Sequence, residues 1–305
     1  MRALVIGGNG FLGCNLVDAL RGRVDHIRVL DRYAPRLDFD WVGVEYTIGA
    51  FGDEDTLRSA LAGIDIVYHL ASTTVPSTSN ADPQGDVASN LIGALRLVAA
   101  MRASGLRRLV FFSSGGTVYG DPFRLPVDEA HPLNPISSYG VVKVAIESYL
   151  RMYQQLGELD PMIIRPSNPY GPRQAASGVQ GAVAAFLEKA RDHGTVAIWG
   201  DGETVRDYLY VDDLTALAVE AGLSGLTGVV NAGSGEGYSL NQLCDVIRQQ
   251  TGAPLPVEYL PARSFDVRNV VLDIGAARKR FGWTPRISLA DGIARTWAAM
   301  QPLKR

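Results

Sequence analysis

The chain has 305 residues, of which 47% are hydrophobic and 20% charged. This composition excludes a disordered, collagenous or coiled-coil chain and suffices for one large core or two joined cores. Lys and Arg number 29 and Asp and Glu 32, for a net charge of −3, so we expect no cationic face for nucleic acid or anionic lipid. The sequence therefore predicts neither a nucleic-acid nor a membrane partner.

Cysteine usage and hydropathy bear on the compartment. Cys14 and Cys244 are the two cysteines, too few for a disulfide framework or a metal cluster. No apolar run approaches the roughly 18 residues of a membrane span, and no signal-peptide pattern precedes the strand-like residues 3–6. We therefore predict a cytoplasmic protein without a metal site.

Short apolar runs alternate with longer helical patterns through the first half. Strands are predicted at 3–6, 27–30, 44–48, 66–70 and 109–112, and helices at 10–20, 86–103 and 138–156. This alternation indicates βαβ units, whose parallel sheet is covered by helices on both faces. We predict an α/β fold with a doubly wound parallel sheet of the Rossmann type.

A glycine-rich turn directly follows the first predicted strand. Gly7, Gly10 and Gly13 recur at every third position, a spacing that allows a tight turn and brings a pyrophosphate close to helix N–H groups. Asp31 ends the second strand, 24 residues after Gly7, where a carboxylate binds ribose hydroxyls. It would repel a 2′-phosphate, although Arg32 could pair with one, so we predict NAD in preference to NADP. The alternative is a structural turn followed by an exposed acid.

The second half is less regular. Prolines cluster between 122 and 135, where they predict a loop that carries function. After a strand at 162–164, Gly and Pro interrupt the pattern, and a helix is expected near 182–191. These features predict a smaller C-terminal α/β lobe.

Tyr139 and Lys143 lie four residues apart at the start of the helix predicted at 138–156, and so share one helix face. A phenol has an unperturbed pKa of about 10. An ammonium and a positively charged nicotinamide would lower the pKa of Tyr139 and make it a usable acid and base. Such a pair is often only a surface aromatic beside a solvated lysine. Here it follows a strand and the hydroxyl-bearing loop 112–120, at the sheet edge where α/β proteins bind ligands.

Eight motifs occur in the order found in one superfamily. They are GGNGFLG (7–13), HLAS (69–72), SSGGTVYG (113–120), YGVVK (139–143), RPSNPYGPR (165–173), WGDGETVRDYLYVDD (199–213), NAGSG (231–235) and RSFDV (263–267). The chain resembles the extended short-chain dehydrogenase/reductases, specifically the NAD-dependent nucleotide-sugar epimerases and dehydratases, and is most similar to the UDP-glucose (UDP-galactose) 4-epimerases. The resemblance implies an NAD-binding Rossmann domain at 1–165 plus 209–232 and a nucleotide-sugar-binding lobe at 166–208 and 233–305.

The resemblance also implies cofactor contacts beyond the three glycines and Asp31. These residues are Phe11, Leu12, Arg32, Ala50, Phe51, Leu70, Ala71, Ser72, Asn90, Ser113, Tyr139, Lys143 and Pro166. Ala50 departs from the family pattern, which commonly has an Asp beside the adenine. Loss of that acceptor should weaken adenine recognition by about 1 kcal/mol.

A second departure concerns the hydroxyl that binds the sugar, since related sequences have it where this chain has Gly115. Its task would fall to Thr117, on the same face if the strand stays extended, or to Ser114 if the two glycines bend the backbone. We slightly prefer Thr117. Both are predicted as catalytic residues together with Tyr139 and Lys143.

For the second lobe the resemblance implies a site for a nucleoside diphosphate sugar. The residues expected to bind substrate are Thr117, Asn168, Ala197, Trp199, Arg206, Arg263, Asp266 and Val270. Asn168 and the two arginines would bind the diphosphate, Asp266 a ribose hydroxyl, and Trp199 and the Ala197 backbone the base. Each arginine could instead be an exposed charge or part of an intramolecular ion pair. Val270 stands where a large aromatic restricts some relatives to plain hexoses, so an N-acetylhexosamine is also expected to fit.

The implied activity is reversible inversion at carbon 4 of a UDP-hexose, interconverting UDP-glucose and UDP-galactose. A 4-keto-sugar reductase would use the same Tyr139 and Lys143 but release oxidised cofactor. A 4,6-dehydratase is disfavoured, because it needs an Asp-Glu pair where this chain has Gly116 and Thr117. A non-catalytic dinucleotide sensor is disfavoured by the intact Tyr-Lys pair.

The helix predicted at 138–156 carries apolar residues around much of its circumference. One face is expected to cover the sheet and the remainder to meet a partner helix in a homodimer; the alternative is burial within the monomer. We interpret His69 as structural, and Glu129 as holding the proline-rich loop.

Overall fold

The chain divides into two compact units. In a computed structural model, which describes residues 1–174, 181–262 and 269–301, the first unit comprises Met1–Val118, Pro135–Arg165 and Thr215–Val230. The second comprises Tyr119–Asn134, Pro166–Leu214 and Asn231–Arg305. Each unit has a hydrophobic core of its own.

The helices and strands follow in chain order as β1 (Arg2–Ile6), α1 (Phe11–Leu20), β2 (His26–Asp31), β3 (Val44–Ile48), α2 (Glu54–Leu61), β4 (Ile66–His69), α3 (Pro76–Ser79), α4 (Pro83–Asp86), a π-helical turn (Val87–Leu91), α5 (Ile92–Ala103), β5 (Arg108–Phe112), α6 (Ser138–Gln155), β6 (Asp160–Pro166), β7 (Asn168–Tyr170), α7 (Ala182–Arg191), β8 (Val196–Trp199), β9 (Val205–Arg206), β10 (Tyr208–Tyr210), α8 (Val211–Leu223), β11 (Gly228–Ala232), β12 (Tyr238–Ser239), α9 (Leu240–Thr251), β13 (Val257–Leu260), β14 (Asn269–Val270), α10 (Gly275–Phe281) and α11 (Leu289–Met300).

Seven strands form the main sheet, in the order β11-β6-β5-β4-β1-β2-β3. The neighbouring pairs from β3 to β6 are parallel, and Ile6 lies opposite both Leu30 and His69, so these strands end at one edge. The chain runs outward from β1 in both directions, which makes a switch point between β1 and β4, where folds of this kind bind ligands. The predicted doubly wound parallel sheet is confirmed.

The buried strands are almost continuously apolar, because helices cover both faces of the sheet. In β1, for example, every residue from Ala3 to Ile6 is buried. One face of α6 packs on this sheet through Val142, Ile146 and Leu150, which belong to the core of the first unit.

Two segments differ from the sequence prediction. The helix predicted at 86–103 is interrupted, since α4 passes into a π-helical turn before α5 begins at Ile92. After β5 the chain leaves the extended conformation, and residues 115–119 form a turn. Widened helical turns are frequent at functional sites, and both segments adjoin the site described below.

Three small sheets build the second unit. β7 pairs with β10, β9 lies between β12 and β14, and β8 pairs with β13. Helices α7, α9 and α11 contribute Phe186, Leu243 and Ile293 to its core. The predicted smaller α/β lobe is confirmed. Within the described ranges, no helix combines the length and the apolar character that crossing a bilayer requires.

Candidate active site

The glycine-rich turn between β1 and α1 has little room for side chains. Gly7 has φ +85°, and a Cβ there would lie 2.8 Å from Ala71 N; a Cβ at Gly13 would lie 2.6 Å from Gly8 Cα. Gly10 differs, since it has φ −76° and the nearest atom to its Cβ would be Gly7 O at 3.5 Å. The fold itself therefore tolerates a larger residue at Gly10, and the space beside this glycine opens into a cavity.

This cavity has a volume of about 700 Å³ and lies in the first unit. The predicted cofactor residues that line it are Gly7, Gly10, Asp31, Arg32, Ala50, Phe51, Leu70, Ala71 and Ser72. Others that line it, which the sequence did not single out, include Asn9, Tyr33, Asp53, Thr73, Ser89 and Arg96. We call it the dinucleotide cavity.

Other predicted cofactor residues are not part of that lining among the described residues. In the first unit they are Phe11, Leu12, Gly13, Asn90, Ser113, Tyr139 and Lys143; Pro166 belongs to the second unit. Two of these residues contact residues of the lining. Gly13 packs closely against Gly7 within the glycine-rich turn, and Asn90 Oδ1 accepts a hydrogen bond from Thr73 N at 2.9 Å.

Asp31 is held in place by backbone donors. Its Oδ2 accepts from Asn9 N at 3.1 Å and its Oδ1 from Tyr33 N at 3.2 Å. Asn9 in turn accepts from Arg36 N at 2.9 Å, so it ties the segment after β2 to the glycine-rich turn. The carboxylate keeps lone pairs for a ribose diol. Bare backbone at a helix N-terminus and a fixed acid on the next strand fit NAD.

Ala50, which is predicted to lie beside the adenine, provides no side-chain acceptor. Ala50 is exposed, and its carbonyl accepts from Asp53 N at 3.0 Å. Asp53, which also lines the cavity, caps α2 by accepting from Thr56 N at 2.8 Å. Arg32 stacks over Tyr33, with its guanidinium carbon 4.7 Å from the ring centroid.

In the first turns of α6, Lys143 is buried and Tyr139 is half-buried. Lys143 Nζ donates to Phe112 O at 2.9 Å and lies 5.5 Å from the Tyr139 ring centroid. Ser137 caps the helix by accepting from Gly140 N, and Tyr139 N donates to Ser79 Oγ at 3.1 Å. The structure thus brings the two predicted side chains together at the end of β5.

The pKa values of this pair reflect burial. Burial raises the pKa of Tyr139 to about 12, Asp86 raises it further, and a hydrogen bond with Ser114 opposes the rise. Burial lowers the pKa of Lys143 to about 8, against the opposing effects of Glu147 and Asp86. Desolvation of the phenol is the largest influence on the pKa of Tyr139 in this structure, and the lowering of that pKa by the ammonium together with a positively charged nicotinamide stays a prediction.

The bend after β5 affects the two candidate hydroxyls, those of Thr117 and Ser114, differently. Thr117 N and Val118 N both donate to Ser114 O, at 3.3 and 3.1 Å, so the strand does not stay extended as the preference for Thr117 required. Of the two, Ser114 is the residue that counters the rise in the pKa of Tyr139. Thr117 Oγ1 is buried without a partner in the described part of the chain.

A buried acidic residue that the sequence analysis did not identify raises the pKa of Lys143. Glu147, one turn further along α6, is fully buried and accepts from Ser113 Oγ at 2.5 Å. It also forms a two-bond ion pair with Arg165. Its spacing of four residues from Lys143 was the available signal. The hydroxyl of Ser113, a residue predicted to bind the cofactor, is the donor in this hydrogen bond to Glu147.

His69 and Glu129 have the structural roles expected of them. His69 is buried, with its ring centroid 5.0 Å from that of Phe51, and burial lowers the pKa of His69 to about 3, which keeps the ring neutral. Glu129 accepts from Asn231 N at 2.7 Å and so anchors the proline-rich loop.

A smaller pocket of about 290 Å³ lies in the second unit. Four predicted substrate residues line it, namely Asn168, Ala197, Trp199 and Arg206. Asn168 Nδ2 also donates to Asp207 O at 3.0 Å, which orients the amide. Asp207 is itself buried and accepts from Ser234 N at 2.7 Å and Ser234 Oγ at 2.8 Å. We call it the second-unit pocket.

Thr117 and Val270, which are also predicted to bind substrate, are not among the described residues that line that pocket. Val270 pairs with Arg206 across β14 and β9 and is only 1% exposed. Arg263 and Asp266 lie outside the described residues.

Comparison with known proteins agrees with these features. The profile of the NAD dependent epimerase/dehydratase family matches residues 3–233. A UDP-glucose 4-epimerase of Mycolicibacterium smegmatis is 38% identical over 304 residues, with 97% of each chain covered. The crystal structure of UDP-glucose 4-epimerase from Thermotoga maritima with UDP-glucose is 34% identical, with a TM-score of 0.92 and 98% of each chain covered. That of the Thermus thermophilus enzyme in complex with NAD is 33% identical, with the same TM-score and coverage. The chain therefore belongs to the NAD-dependent epimerase/dehydratase family, as its motifs predict, and is an enzyme with NAD as its cofactor.

Proposed function

We propose that the protein is a UDP-hexose 4-epimerase that interconverts UDP-glucose and UDP-galactose through a 4-keto intermediate. The observation that carries the proposal is the cluster at the end of β5, where Lys143 Nζ donates to Phe112 O at 2.9 Å and lies 5.5 Å from the Tyr139 ring centroid, with Ser114 two residues further along the chain. The identity of 38% with a UDP-glucose 4-epimerase over 97% of the chain supports the same reaction.

Tyr139 is the proposed acid and base. It removes the proton of the sugar 4-hydroxyl during oxidation and returns it during reduction, while Ser114 orients that hydroxyl. NAD, when bound, supplies reversible acceptance of hydride from carbon 4. Because burial holds the pKa of Tyr139 near 12, the base form depends on positive charge nearby, and Lys143 is the cation on the same helix face.

The residues proposed to hold NAD are those around the dinucleotide cavity. Gly7 and Gly10 leave the backbone bare for the pyrophosphate, and the N-terminus of α1 supplies N–H donors. Asp31 binds the adenosine ribose hydroxyls and disfavours a 2′-phosphate. Lys143 is proposed to bind the nicotinamide ribose.

The second-unit pocket is the proposed site of the nucleotide. Trp199, which is 41% exposed and lines the pocket, is proposed to pack against the base, and the backbone of Ala197 is proposed to contact the edge of the base. Arg206 and Asn168 are proposed to bind the diphosphate. Arg263 and Asp266 are proposed to complete the site, and Val270 to permit an N-acetylhexosamine.

We also propose a homodimer formed through α6 and through the π-helical turn and α5. Val141, Tyr149 and Met152 on α6 are 52%, 39% and 39% exposed. Val87 and Ile92 are likewise exposed. Apolar side chains left on one helix face favour contact with a second copy. The test is the molar mass in solution, with Val141→Glu as the disrupting variant.

The activity is tested by incubating the purified protein with UDP-glucose and, separately, with UDP-N-acetylglucosamine, and following the approach to equilibrium from both sides. We expect exchange between the C4 epimers without net consumption of cofactor. Stoichiometric consumption of NAD(P)H by a 4-keto sugar would instead establish a reductase. No turnover of any UDP-hexose would favour the non-catalytic alternative, and Tyr139→Phe should lose turnover while still binding NAD.

A further inference from the structure

Asp86 is a buried carboxylate at the end of α4 that the proposed chemistry does not use. The residue is only 1% exposed. Its Oδ1 accepts hydrogen bonds from Thr74 Oγ1 at 2.7 Å and Asn90 Nδ2 at 2.8 Å, and its Oδ2 accepts one from Ser138 Oγ at 2.7 Å. A desolvated carboxylate with three donors holds the groups around it in one arrangement.

On one side these bonds reach the wall of the dinucleotide cavity. Asn90 Nδ2 also donates to Thr73 Oγ1 at 2.9 Å, and Asn90 Oδ1 accepts from Thr73 N at 2.9 Å. Thr73 lines the cavity, and so does Ser89, whose hydroxyl lies 2.6 Å from Thr73 Oγ1. The strand end after β4 and the π-helical turn are therefore fixed to each other through Asn90 and Asp86.

On the other side the bonds reach the start of α6. Ser138 is the first residue of that helix and directly precedes Tyr139. Ser138 N donates to Asn80 Oδ1 at 2.8 Å, so the helix start is bonded both to the segment after α3 and to Asp86.

We propose that Asp86 is a positioning residue for the reaction of Tyr139, because it fixes the first turn of α6 through Ser138 and couples it to the cavity wall through Thr74 and Asn90. The positioning is relevant to catalysis only if the proposed function holds, whereas the connection itself is a property of the first unit. It gives the cavity wall and the phenol a common support.

The same carboxylate acts through its charge. It raises the pKa of Tyr139, which burial also raises. It raises the pKa of Lys143 as well, whereas burial lowers that pKa. The other ionisable groups around the two are Glu147, which also raises the pKa of Lys143 and is paired with Arg165, and His69, which burial keeps neutral. Removing the Asp86 charge therefore lowers both pKa values, and both limbs of the pH–rate profile move to lower pH.

The experiment compares Asp86→Asn, Ser138→Ala and the control Asp82→Asn, each as the NAD-bound protein. Asp86→Asn removes the charge at constant size, and Ser138→Ala removes only the bond to α6. Asp82 is an exposed carboxylate that caps α4 by accepting from Gly85 N at 2.9 Å, and asparagine also caps helices. The measurements are amide hydrogen exchange across 138–142 and 72–74, and the pH dependence of kcat.

We expect exchange at 138–142 to be about tenfold faster in Asp86→Asn and Ser138→Ala, because a hydrogen bond to a charged group is lost, and unchanged in Asp82→Asn. We expect the pH–rate profile of Asp86→Asn to move by about 0.5 to 1 unit to lower pH, and that of Ser138→Ala to keep its position.

Unchanged exchange in Asp86→Asn would overturn the proposal, whatever the activity. Faster exchange with an unmoved pH–rate profile would overturn its electrostatic part. A wild-type protein that turns over no UDP-hexose would refute the proposed function alone, since hydrogen exchange would still decide on the connection.

Discussion

Glu147 and Arg165 form a fully buried ion pair next to the Tyr139 and Lys143 cluster. Arg165 Nη2 lies 2.5 Å from Glu147 Oε2, and Arg165 Nε lies 3.0 Å from Glu147 Oε1. The Arg165 side chain is 0% exposed and the Glu147 side chain is 1% exposed. Because Ser113 donates to the same carboxylate, the pair joins α6 to β6 and to the end of β5.

We predict that Glu147→Ala lowers the free energy of unfolding by about 3 to 5 kcal/mol, since it removes the carboxylate from a buried guanidinium. Urea unfolding monitored by circular dichroism measures the change. The matched control is Arg151→Ala, which removes the second arginine that pairs with Glu147; Arg151 is 44% exposed, so the loss should stay within about 1 kcal/mol. Equal losses in both variants would contradict the burial argument.

Gly10 and Gly13 are predicted to respond differently to replacement by alanine. A Cβ at Gly10 would have its nearest neighbour at 3.5 Å, whereas a Cβ at Gly13 would overlap the carbonyl oxygen of Gly7. We therefore expect Gly10→Ala to fold normally and to lose NAD affinity, because the methyl group occupies space beside the dinucleotide cavity.

Thermal unfolding with and without NAD separates the two cases. Gly10→Ala should keep its midpoint without added NAD and lose the rise that bound NAD gives to the wild type. Gly13→Ala should unfold at a lower temperature in both conditions. An undiminished rise in Gly10→Ala would show that the pyrophosphate does not pass Gly10.

Much of the fold follows from residue patterns that act over short distances. The apolar run of β1 and the glycines after it are local signals, and the strand bounds expected from them agree with the structure to within a residue or two. The π-helical turn was not foreseen, because hydrophobic periodicity does not report a widened turn. Its stabilising contacts, from Asn90 to Thr73 and Thr74, span 16 or more residues.

The site was foreseen in its residue types and less well in its electrostatics. The Tyr139 and Lys143 pair could be recognised from its spacing, and Asp31 from its place at a strand end. The pKa of Tyr139 depends instead on how completely α6 and β5 exclude water around the phenol, and on Asp86, which lies 53 residues earlier in the chain. Neither the exclusion of water around the phenol nor the proximity of Asp86 can be predicted from a local sequence motif.

Ser114 and Thr117 are predicted to differ in their effect on turnover. Ser114 counters the rise in the pKa of Tyr139, whereas Thr117 lies in the turn that follows. We expect Ser114→Ala to lower kcat by about 10-fold to 100-fold, as loss of one neutral or charged hydrogen bond in the transition state would.

Thr117→Val is the matched comparison, since it removes a hydroxyl at nearly constant volume. It should lower kcat less than Ser114→Ala does, with the initial rate of UDP-galactose conversion as the measurement. The reverse order would restore Thr117 as the residue that takes over the task lost at Gly115.

His69 is predicted to make stability fall in weak acid. Its pKa of about 3 in the folded chain lies below the value of about 6.5 for an unfolded chain, so between these values the unfolded state binds the extra proton. The contribution of the neutral, buried ring to the free energy of unfolding is therefore fully present above about pH 6.5. It is lost as the pH falls toward 3, by about 1.4 kcal/mol per pH unit.

His69→Leu removes the titrating group and leaves an apolar side chain between Phe51 and Phe111, the two rings that flank His69. Between pH 7 and pH 5 the wild type should lose about 2 kcal/mol of unfolding free energy relative to this variant. Urea unfolding at pH 7, 6 and 5 gives the difference directly. Parallel pH dependences would mean that His69 takes up its proton in the folded protein, and hence that water reaches the ring at the end of β4.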